Sequence, residues 1–531
     1  MKKLSALLLA LVLCLSFTAL AEINAEGLPI STEPITLTCA VRQSPIQPDF
    51  SEMQILKDFA EESNVIMEYQ CYPDSDANTQ LSLMLGSGEL PDILFKMNVT
   101  DTDQAKYADQ GMFVAISDYA EYCPNLMKWF EEYPTAKDAV TKGDGKIYAA
   151  PYILAGDAIR IGSKLWYNTD VTEKLGWDHV PTTTDEFIEY LRAFKDSDYN
   201  GNGEADEIGI TGDLFNDAFE SALGGSFGLQ NRGSSHADVI VDDEGELQYV
   251  YATDRYKEFL TFMNTLYTEG LMDQDVFTVD YAQIIAKAQI GRAGTYLFVN
   301  NSPVSNSPYE QYSYGFREPL EGPSGYKGYN NYSLPASTTG QFLITYKCAE
   351  KGEDAIKAAV RWMDYWYSEE GIIRYFMGIE GVTYEKDETA PGGLKLTDFV
   401  LNNPDGLTFE QVLANYVPWA GGRNPSVATN EFFKGGETWP VCLDAVEGLR
   451  NYLPETIWTP FSSYYTVDEA TDMSAMKADL DTYRKEWRAY FITGQKSLET
   501  DWDEYVAGYD GLNLGRYMEI YRGAREKAGA E

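Results

Sequence analysis

Residues 35–41 read Ile-Thr-Leu-Thr-Cys-Ala-Val, a short apolar and β-branched run that predicts a buried strand. Two similar runs follow at Val65–Cys71 and Leu90–Phe95, and a segment with helical spacing precedes each of them. The apolar positions of those two segments are Met53, Leu56, Phe59 and Ala60, then Leu81, Met84 and Leu85. Strands that alternate with helices predict an α/β fold with an open, mainly parallel sheet covered on both faces.

Polar side chains follow two of these strands. Arg42 and Gln43 come directly after the first strand, and Lys96 and Asn98 come directly after the third. In open α/β sheets, ligands bind at the carboxyl ends of the strands. We therefore expect these four residues to lie near a binding site.

A second α/β series is expected after Pro151. The turn and strand at residues 143–151 close the first series, and Ala158–Asn168 opens the second. A helix is predicted at Thr183–Lys195, with a capping box formed by Thr183 and Glu186. Further helices are predicted at 256–267, 353–368, 475–491 and from 501 onward. No period of 20 to 50 residues recurs, which argues against a solenoid.

Residues 196–207 read Asp-Ser-Asp-Tyr-Asn-Gly-Asn-Gly-Glu-Ala-Asp-Glu and are typical of a calcium loop. Oxygen-bearing residues stand at alternate positions, and Gly201 and Gly203 allow the positive φ that turns those oxygens inward. The sequence that follows, Ile208–Thr211, predicts a strand and not the exiting helix of a sensor EF-hand. A bound ion would therefore be structural, and it would fix a helix to a sheet.

The spacing leaves two registers open for this loop. In the first, Asp196 is position 1 of the pattern D-x-[DN]-x-[DN]-G-x5-E and Glu207 is its last carboxylate. The second starts two residues later and uses the backbone carbonyl of Glu204. The ligands of this second register are Asp198, Asn200, Asn202, Glu204, Asp206 and Glu207.

The chain starts like a secreted protein. Two lysines precede an apolar run at 4–20 and a small-x-small site at Ala19–Ala21, which predicts a cleaved signal peptide at residues 1–21. Cys14 follows Leu13 where a lipoprotein cleavage site needs a small residue, so a lipid anchor is not favoured. We expect the mature protein to lie in the cell envelope or outside the cell.

Charge excludes several classes of partner. The net charge is −42, and it becomes −44 once the two leader lysines are removed. Such a surface disfavours nucleic acid and anionic membranes as partners. The mature chain keeps five cysteines without C-x-x-C spacing, so neither a disulfide framework nor a zinc site is indicated.

One catalytic motif matches in sequence but lacks its expected structural context. Gly224–Gly228 matches G-x-S-x-G, but a nucleophile elbow follows a strand, and here a helix-like segment precedes the motif. The mature chain has only two histidines, His179 and His236. Paired carboxylates of a glycosidase leave no local signature, so a secreted glycoside hydrolase or polysaccharide lyase stays an alternative.

Six short segments together resemble the family 1 extracellular solute-binding proteins of sugar ABC transporters, in the branch with oligosaccharide- and alginate-binding members. They are Ser87–Ile93, Gly145–Pro151, Ser368–Gly371, Gly378–Tyr384, Phe491–Gly494 and Asp501–Val506. The branch has a calcium loop of the type Asp-x-Asn-Gly-Asn-Gly-x-x-Asp-Glu, which Asp198–Glu207 matches. The resemblance thus favours the second register.

The resemblance implies a two-lobed fold of the type II periplasmic-binding-protein kind, with a hinge and a ligand cleft between the lobes. Lobe 1 is expected at residues 22–155 and about 338–390, and lobe 2 at about 156–337 and 391–531. The implied function is a non-enzymatic, monomeric receptor that delivers an oligosaccharide to the permease subunits of an ABC transporter, with Ca²⁺ as a structural ion. A receptor that feeds a sensor kinase is a further alternative.

Trp419 is the first candidate for the ligand site, because it lies in a Pro- and Gly-rich loop where an exposed ring can stack on a sugar. The full set of candidates is Trp419, Arg42, Gln43, Lys96, Asn98, Tyr148, Tyr152, Asp157, Phe298 and Asn300. Trp362 and Trp366, four residues apart on an amphipathic helix, are expected in the core. Because the candidates include few cations, we expect a neutral sugar.

Overall fold

A computed structural model describes residues 22–214, 216–336, 338–405 and 407–530. The predicted signal peptide and Cys14 lie outside these residues. The strands are β1 (Ile35–Gln43), β2 (Val65–Pro73), β3 (Ile93–Phe95), β4 (Ala149–Leu154), β5 (Lys164–Asn168), β6 (Ile208–Thr211), β7 (Val239–Val241), β8 (Leu247–Tyr249), β9 (Ala293–Phe298), β10 (Ser313–Gly315), β11 (Thr338–Ile344), β12 (Tyr384–Lys386), β13 (Leu394–Leu396) and β14 (Val427–Ala428).

Most of the remaining chain is helical. The α-helices are α1 (Gln54–Ser63), α2 (Asp74–Ser87), α3 (Asp101–Asp109), α4 (Pro124–Glu132), α5 (Pro134–Val140), α6 (Asp157–Arg160), α7 (Thr169–Leu175), α8 (Thr184–Lys195), α9 (Ala218–Leu223), α10 (Asp254–Thr268), α11 (Tyr281–Gln289), α12 (Tyr346–Glu350), α13 (Glu353–Tyr365), α14 (Glu369–Met377), α15 (Asp398–Leu401), α16 (Phe409–Leu413), α17 (Pro440–Leu449), α18 (Val467–Thr493), α19 (Trp502–Gly508) and α20 (Leu514–Ala528). Among the described residues, no helix is both long and apolar enough to span a bilayer.

Lobe 1 is built on a six-stranded sheet with the order β14-β4-β11-β3-β1-β2. The predicted strands β1, β2 and β3 run parallel to one another. β11 runs antiparallel between β3 and β4, and β14 pairs in parallel with β4. Helix α13 packs on this sheet; Trp362 in this helix and Trp366 directly after it are 2% and 0% exposed, which confirms their prediction as core residues.

Lobe 2 is built on a four-stranded sheet with the order β10-β5-β9-β6. β6 and β9 are parallel, whereas β5 is antiparallel to both of its neighbours. The long helix α18 packs against α10 beside this sheet. Its buried Arg484 and Arg488 both pair with Asp217 in the loop region after β6, at 2.8 and 2.6 Å. These ion pairs fix that loop to the helical part of the lobe.

The chain passes between the lobes at three neighbouring places. The amide of Leu154 donates to Pro335 (2.7 Å), and the amide of Ala155 donates to Ala428 (2.9 Å). The segments after β4, before β11 and after β14 therefore lie side by side. This arrangement is typical of the hinge of a two-lobed protein.

Three boundaries differ from the sequence prediction. The chain does not leave lobe 1 near residue 391, because β14 at 427–428 still belongs to the lobe 1 sheet. The segment 158–168, which opens the second series, begins with α6, and its strand β5 starts only at Lys164. The predicted strand from residue 90 starts only at Ile93. A two-residue strand such as β14 has no sequence pattern of its own, and its pairing comes entirely from tertiary contacts.

Candidate functional site

The third passage between the lobes is a short Gly-rich segment, Phe433–Trp439. A Cβ added at Gly436 would lie 2.6 Å from Nδ2 of Asn300 in lobe 2, so glycine is required by this close approach. A Cβ at Gly435 would lie 2.5 Å from the Phe433 ring and 2.8 Å from Oε2 of Glu437. The segment thus brings the Glu437 carboxylate against Phe433 at the place where the two lobes meet.

Trp419 stands beside this segment. Its ring packs edge to face on Phe433, with 5.6 Å between the ring centroids. Two side chains hold its loop by hydrogen bonds to backbone carbonyls. Nζ of Lys96 donates to the carbonyls of Pro418 and Ala420, and Nε2 of Gln47 also donates to the carbonyl of Pro418. The indole is half-buried.

The charge of Glu437 reaches groups from both lobes. The pKa of Tyr152 in lobe 1 and that of Tyr281 in lobe 2 are raised by burial and, in addition, by Glu437. Burial and then Glu437 raise the pKa of Glu410, although solvent reaches the Glu410 side chain. Glu437 therefore lies near groups of both lobes, at the cleft between them.

Aromatic rings line both sides of this cleft. Tyr281, which is 52% exposed, packs on Phe298 at 4.9 Å between centroids. Across the cleft, Phe409 of lobe 1 approaches Trp439 of lobe 2 at 6.2 Å. Exposed rings beside polar groups are the usual composition of a carbohydrate or drug-sized ligand site.

Several buried polar atoms around the cleft make no hydrogen bond among the described residues. They are Nε1 of Trp419, Nδ2 of Asn424, Oδ1 of Asn430 and Oγ1 of Thr338. Asn424 also opposes the rise in the pKa of Tyr152, which places its amide beside that hydroxyl. Because buried polar atoms are normally paired, this set of unpaired donors and acceptors favours a polar ligand at the hinge.

A separate feature of lobe 2 is the loop of residues 196–207, which joins α8 to β6 as the sequence predicts. Gly201 and Gly203 have φ of +71° and +81°. Asp198 accepts from the amide of Gly203 (3.1 Å), and Asp206 accepts from the side-chain amide of Asn202 (3.2 Å). The oxygens of the second register are thus folded toward one another.

The carboxylate of Glu207 shows whether the environment of this loop suits a cation. Its Oε1 accepts from the amide of Tyr199 (2.8 Å), whereas its Oε2 is buried and has no partner among the described residues. A buried carboxylate oxygen without a donor is what a cation site needs. In the described chain, no group of three or more His, Cys, Asp or Glu side chains suffices to hold a metal, so the amide and carbonyl oxygens of the loop would have to complete the shell.

Residues 47–373, more than half of the chain, match the model of a family described as bacterial extracellular solute-binding protein. This chain belongs to that family. The solute-binding protein is 27% identical over 508 residues to the fructooligosaccharide ABC transporter substrate-binding protein FusA of Streptococcus pneumoniae, an alignment that covers 92% of this chain and 89% of FusA. The structure of FusA in complex with kestose has a TM-score of 0.74 and 25% identity to this chain, and the match covers 93% of this chain and 100% of the FusA chain. An EF-hand mutant of FusA has been solved in complex with fructo-nystose.

Two more distant structures share the two-lobed fold of this solute-binding protein. An HMO-binding protein associated with an ABC transporter, from Bifidobacterium longum infantis, has a TM-score of 0.77 and 20% identity over 94% of this chain and 99% of its own. The alginate-binding protein AlgQ2, solved without calcium ion, has a TM-score of 0.73 and 18% identity over 93% and 98%. They establish the α/β, two-lobed architecture that the sequence predicts.

Two predicted site residues of the solute-binding protein have structural partners instead. Lys96 is 2% exposed, its pKa is lowered well below the usual value by burial, and its ammonium group is used by the Trp419 loop and by Asn424 at 3.2 Å. Arg42 is 4% exposed and binds Asp74, Asn78 and the carbonyl of Met97. Both buried cations are thus held inside lobe 1, which argues against their predicted contact with a ligand.

Other candidates are also held by neighbours. Gln43 donates to the carbonyl of Gln47 (3.0 Å), and Asn98 accepts from Gln341 (2.7 Å). Asp157 forms an ion pair with Arg450 at 3.0 Å. Each of the three side chains therefore has a partner within the protein, and their contact with a ligand stays a prediction.

Tyr148 lies at a different contact between the lobes. Its hydroxyl donates to Asp144 (2.6 Å), and it lines a cavity of about 240 Å³ together with Asp101 of lobe 1 and Ser462 and Tyr465 of lobe 2. The candidates that do come together at the hinge cleft are Trp419, Tyr152, Phe298 and Asn300.

The sequence reading missed Glu437, Tyr281, Glu410 and Asn424. One signal was available, because Phe433–Trp439 has a Gly-Gly pair between two aromatic residues, and the Trp419 loop also contains a Gly-Gly pair. Tyr281 gave no signal, since it lies at the start of an ordinary amphipathic helix.

The G-x-S-x-G motif lies outside this site. Helix α9 precedes it, and Ser226 is fully buried. His236 is bound to Tyr521 and to the carbonyl of Thr459. The motif therefore lacks both the strand before the serine and a histidine bonded to it.

Proposed function

We propose that this solute-binding protein captures an oligosaccharide between its lobes and delivers it to an ABC transporter permease. The observation that carries the proposal is the set of buried, unpaired polar atoms beside exposed aromatic rings where the three interlobe segments meet. Sugar hydroxyls both donate and accept hydrogen bonds, so they match Nε1 of Trp419 as well as Oδ1 of Asn430. The similarity to FusA supports the same class of ligand.

We further propose that residues 198–207 hold a structural Ca²⁺. The unpaired Oε2 of Glu207 and the inward-facing oxygens of the loop support this, and so do the EF-hand of FusA and the calcium ion named for AlgQ2. A bound Ca²⁺ would supply positive charge that the loop oxygens coordinate, and it would have no catalytic role. The loop itself fixes the end of α8 to the start of β6.

A ligand screen tests the capture of sugars. Kestose, nystose, milk oligosaccharides and oligogalacturonates are each added to stoichiometric protein, and the melting temperature and released reducing ends are measured. A true ligand at 100 times its Kd stabilises the protein by about 2.7 kcal/mol and releases no reducing ends. Reducing-end release would favour a glycoside hydrolase, and no shift with any oligosaccharide contradicts the proposal.

Closure of the lobes is the next expected result. A ligand that contacts both lobes stabilises the closed state by its differential affinity, so the radius of gyration should fall when a sugar from the screen saturates the protein. Small-angle scattering with and without that sugar measures the change. A sugar that gives no thermal shift is the control, and an unchanged radius at proven saturation contradicts hinge closure.

A further inference from the structure

Strand β11 of lobe 1 lies between two hydrophobic cores. Successive side chains of a strand point to opposite faces of its sheet. Phe342 belongs to the core against which Trp419 packs. Leu343, the next residue, belongs to a second core, which also holds Tyr107 and Ala108 of α3. The Trp419 loop and helix α3 therefore lie on opposite faces of the lobe 1 sheet.

The sheet of lobe 2 shows the same division. On β9, Phe298 belongs to the core against which Trp439 packs at the hinge cleft. The preceding residue, Leu297, belongs to the core that contains Phe461 and Leu480 of α18. Trp439 thus packs on the cleft side of this sheet, whereas Phe461 and α18 pack on its other side.

The two lobes also touch on this second side. Helix α3 of lobe 1 packs against α18 and against the turn Phe461–Tyr464 of lobe 2, and we call this packing the rear contact. Across it, the hydroxyl of Ser462 donates to Asp101 (3.4 Å). The Asp101 carboxylate is positioned from within lobe 1, because Lys142 and the hydroxyl of Thr339 each donate to it at 2.7 Å. The rear contact thus joins the lobes on the opposite side of the interlobe segments from the cleft.

The rear contact is loosely packed. Two cavities of about 240 and 340 Å³ adjoin it, and Asp101, Ser462 and Tyr465 line both of them. Protein interiors have few voids larger than a water molecule. A contact that includes two such cavities can separate without breaking a dense core, so the lobes can move apart here.

A hinge motion links the rear contact to the cleft. Rotation about the interlobe segments that narrows the cleft at Trp419 widens the gap between α3 and Phe461–Tyr464, because these two places lie on opposite sides of the same segments. The rear contact therefore stabilises the open arrangement, whereas a ligand that bridges the lobes stabilises the closed one. Capture of a ligand has to break the rear contact, which lowers the measured affinity.

We propose that the rear contact holds the lobes open and limits the affinity for oligosaccharide, so that weakening this contact tightens binding. The inference rests on the proposed capture of an oligosaccharide between the lobes. It gives Asp101, Ser462 and Tyr465 an effect on affinity without contact to the ligand. Substitutions at the rear contact should therefore lower the Kd, whereas substitutions of ligand-binding residues in the cleft raise it.

The test places a second carboxylate opposite Asp101. Ser462→Asp replaces a hydrogen-bond donor with a like charge, and Ser462→Ala only removes the donor. The control is Ser474→Asp, which adds the same charge at an exposed residue of α18 whose hydroxyl makes no hydrogen bond to lobe 1 in the described chain. Kestose is titrated by calorimetry into each variant and the wild type. We expect the Kd to be about 10-fold lower for Ser462→Asp, about 3-fold lower for Ser462→Ala and unchanged for Ser474→Asp.

A second readout needs no ligand. Because the rear contact holds the lobes open, the radius of gyration of ligand-free Ser462→Asp should fall below the wild-type value in small-angle scattering, and Ser474→Asp should match the wild type. An unchanged or larger radius overturns the inference, and so does a Kd for kestose at or above the wild-type value. If kestose does not bind the wild type but the radius of Ser462→Asp falls, the capture of kestose fails and the rear contact is supported. If Ser462→Asp does not fold, Ser462→Ala gives both measurements.

Discussion

Removing calcium should lower the melting temperature of this protein by about 4 °C. A site with a Kd near 1 μM, held at 1 mM free Ca²⁺, stabilises the folded state by about 4.1 kcal/mol. The melting entropy of a chain of this length converts that energy into about 4 °C if both lobes unfold together. The measurement is a thermal melt in calcium buffer and in excess chelator, with Mg²⁺ as the control ion.

Two single substitutions decide which residues hold the ion. Asn202→Ala removes a side-chain ligand of the second register, so it should cause most of the loss that chelation causes. Asp196→Ala should be milder, because the structure places Asp196 at the end of α8, where its amide donates to Arg192 (3.0 Å). A larger loss at Asp196 than at Asn202 would restore the EF-hand register, and equal melting with and without chelator would contradict the calcium proposal.

The sequence was sufficient for elements whose signal is local. β1 and β2 are apolar runs between helices with a clear stripe, and the structure extends each by only two residues. The loop at residues 196–207 joins α8 to β6, where its alternating oxygens and following strand predict it. Thr183 caps α8 as expected, although Glu186 reaches the amide of Thr182 and not that of Thr183. Local chemistry determined these features, so they were visible without the fold.

The binding cleft was less predictable, because its residues come together only through the three interlobe segments. Lys96 looked like a ligand cation at the end of a strand, yet its acceptors, the carbonyls of Pro418 and Ala420, lie more than 300 residues away in the chain. Glu437 is one of 83 acidic residues, and no local pattern in the sequence distinguishes it. Trp419 was found because a Trp in a Pro- and Gly-rich loop is unusual in itself.

Replacing Trp419 should have the largest effect on ligand binding. Trp419→Ala removes a half-buried indole that lies on Phe433, together with an Nε1 donor that has no protein partner in the described chain. Loss of a stacking surface and one hydrogen bond should cost about 2 kcal/mol, which is roughly a 30-fold weaker Kd. Trp419→Phe keeps an aromatic ring but not the Nε1 donor, so its Kd should lie between those of the wild type and Trp419→Ala. Calorimetry with the sugar identified in the ligand screen gives the Kd of each variant.

The control for Trp419 is Trp177→Ala, which removes a second half-buried indole, located after α7 in lobe 2 and stacked on His179 at 5.8 Å. Both alanine variants lose packing and should melt below the wild type, but only Trp419→Ala should lose affinity. The backbone around Trp419 is clamped by Lys96 and Gln47, so the loop should persist without the ring. If Trp419→Ala and Trp177→Ala change the Kd equally, the indole of Trp419 supports the fold and is not the surface on which the sugar stacks.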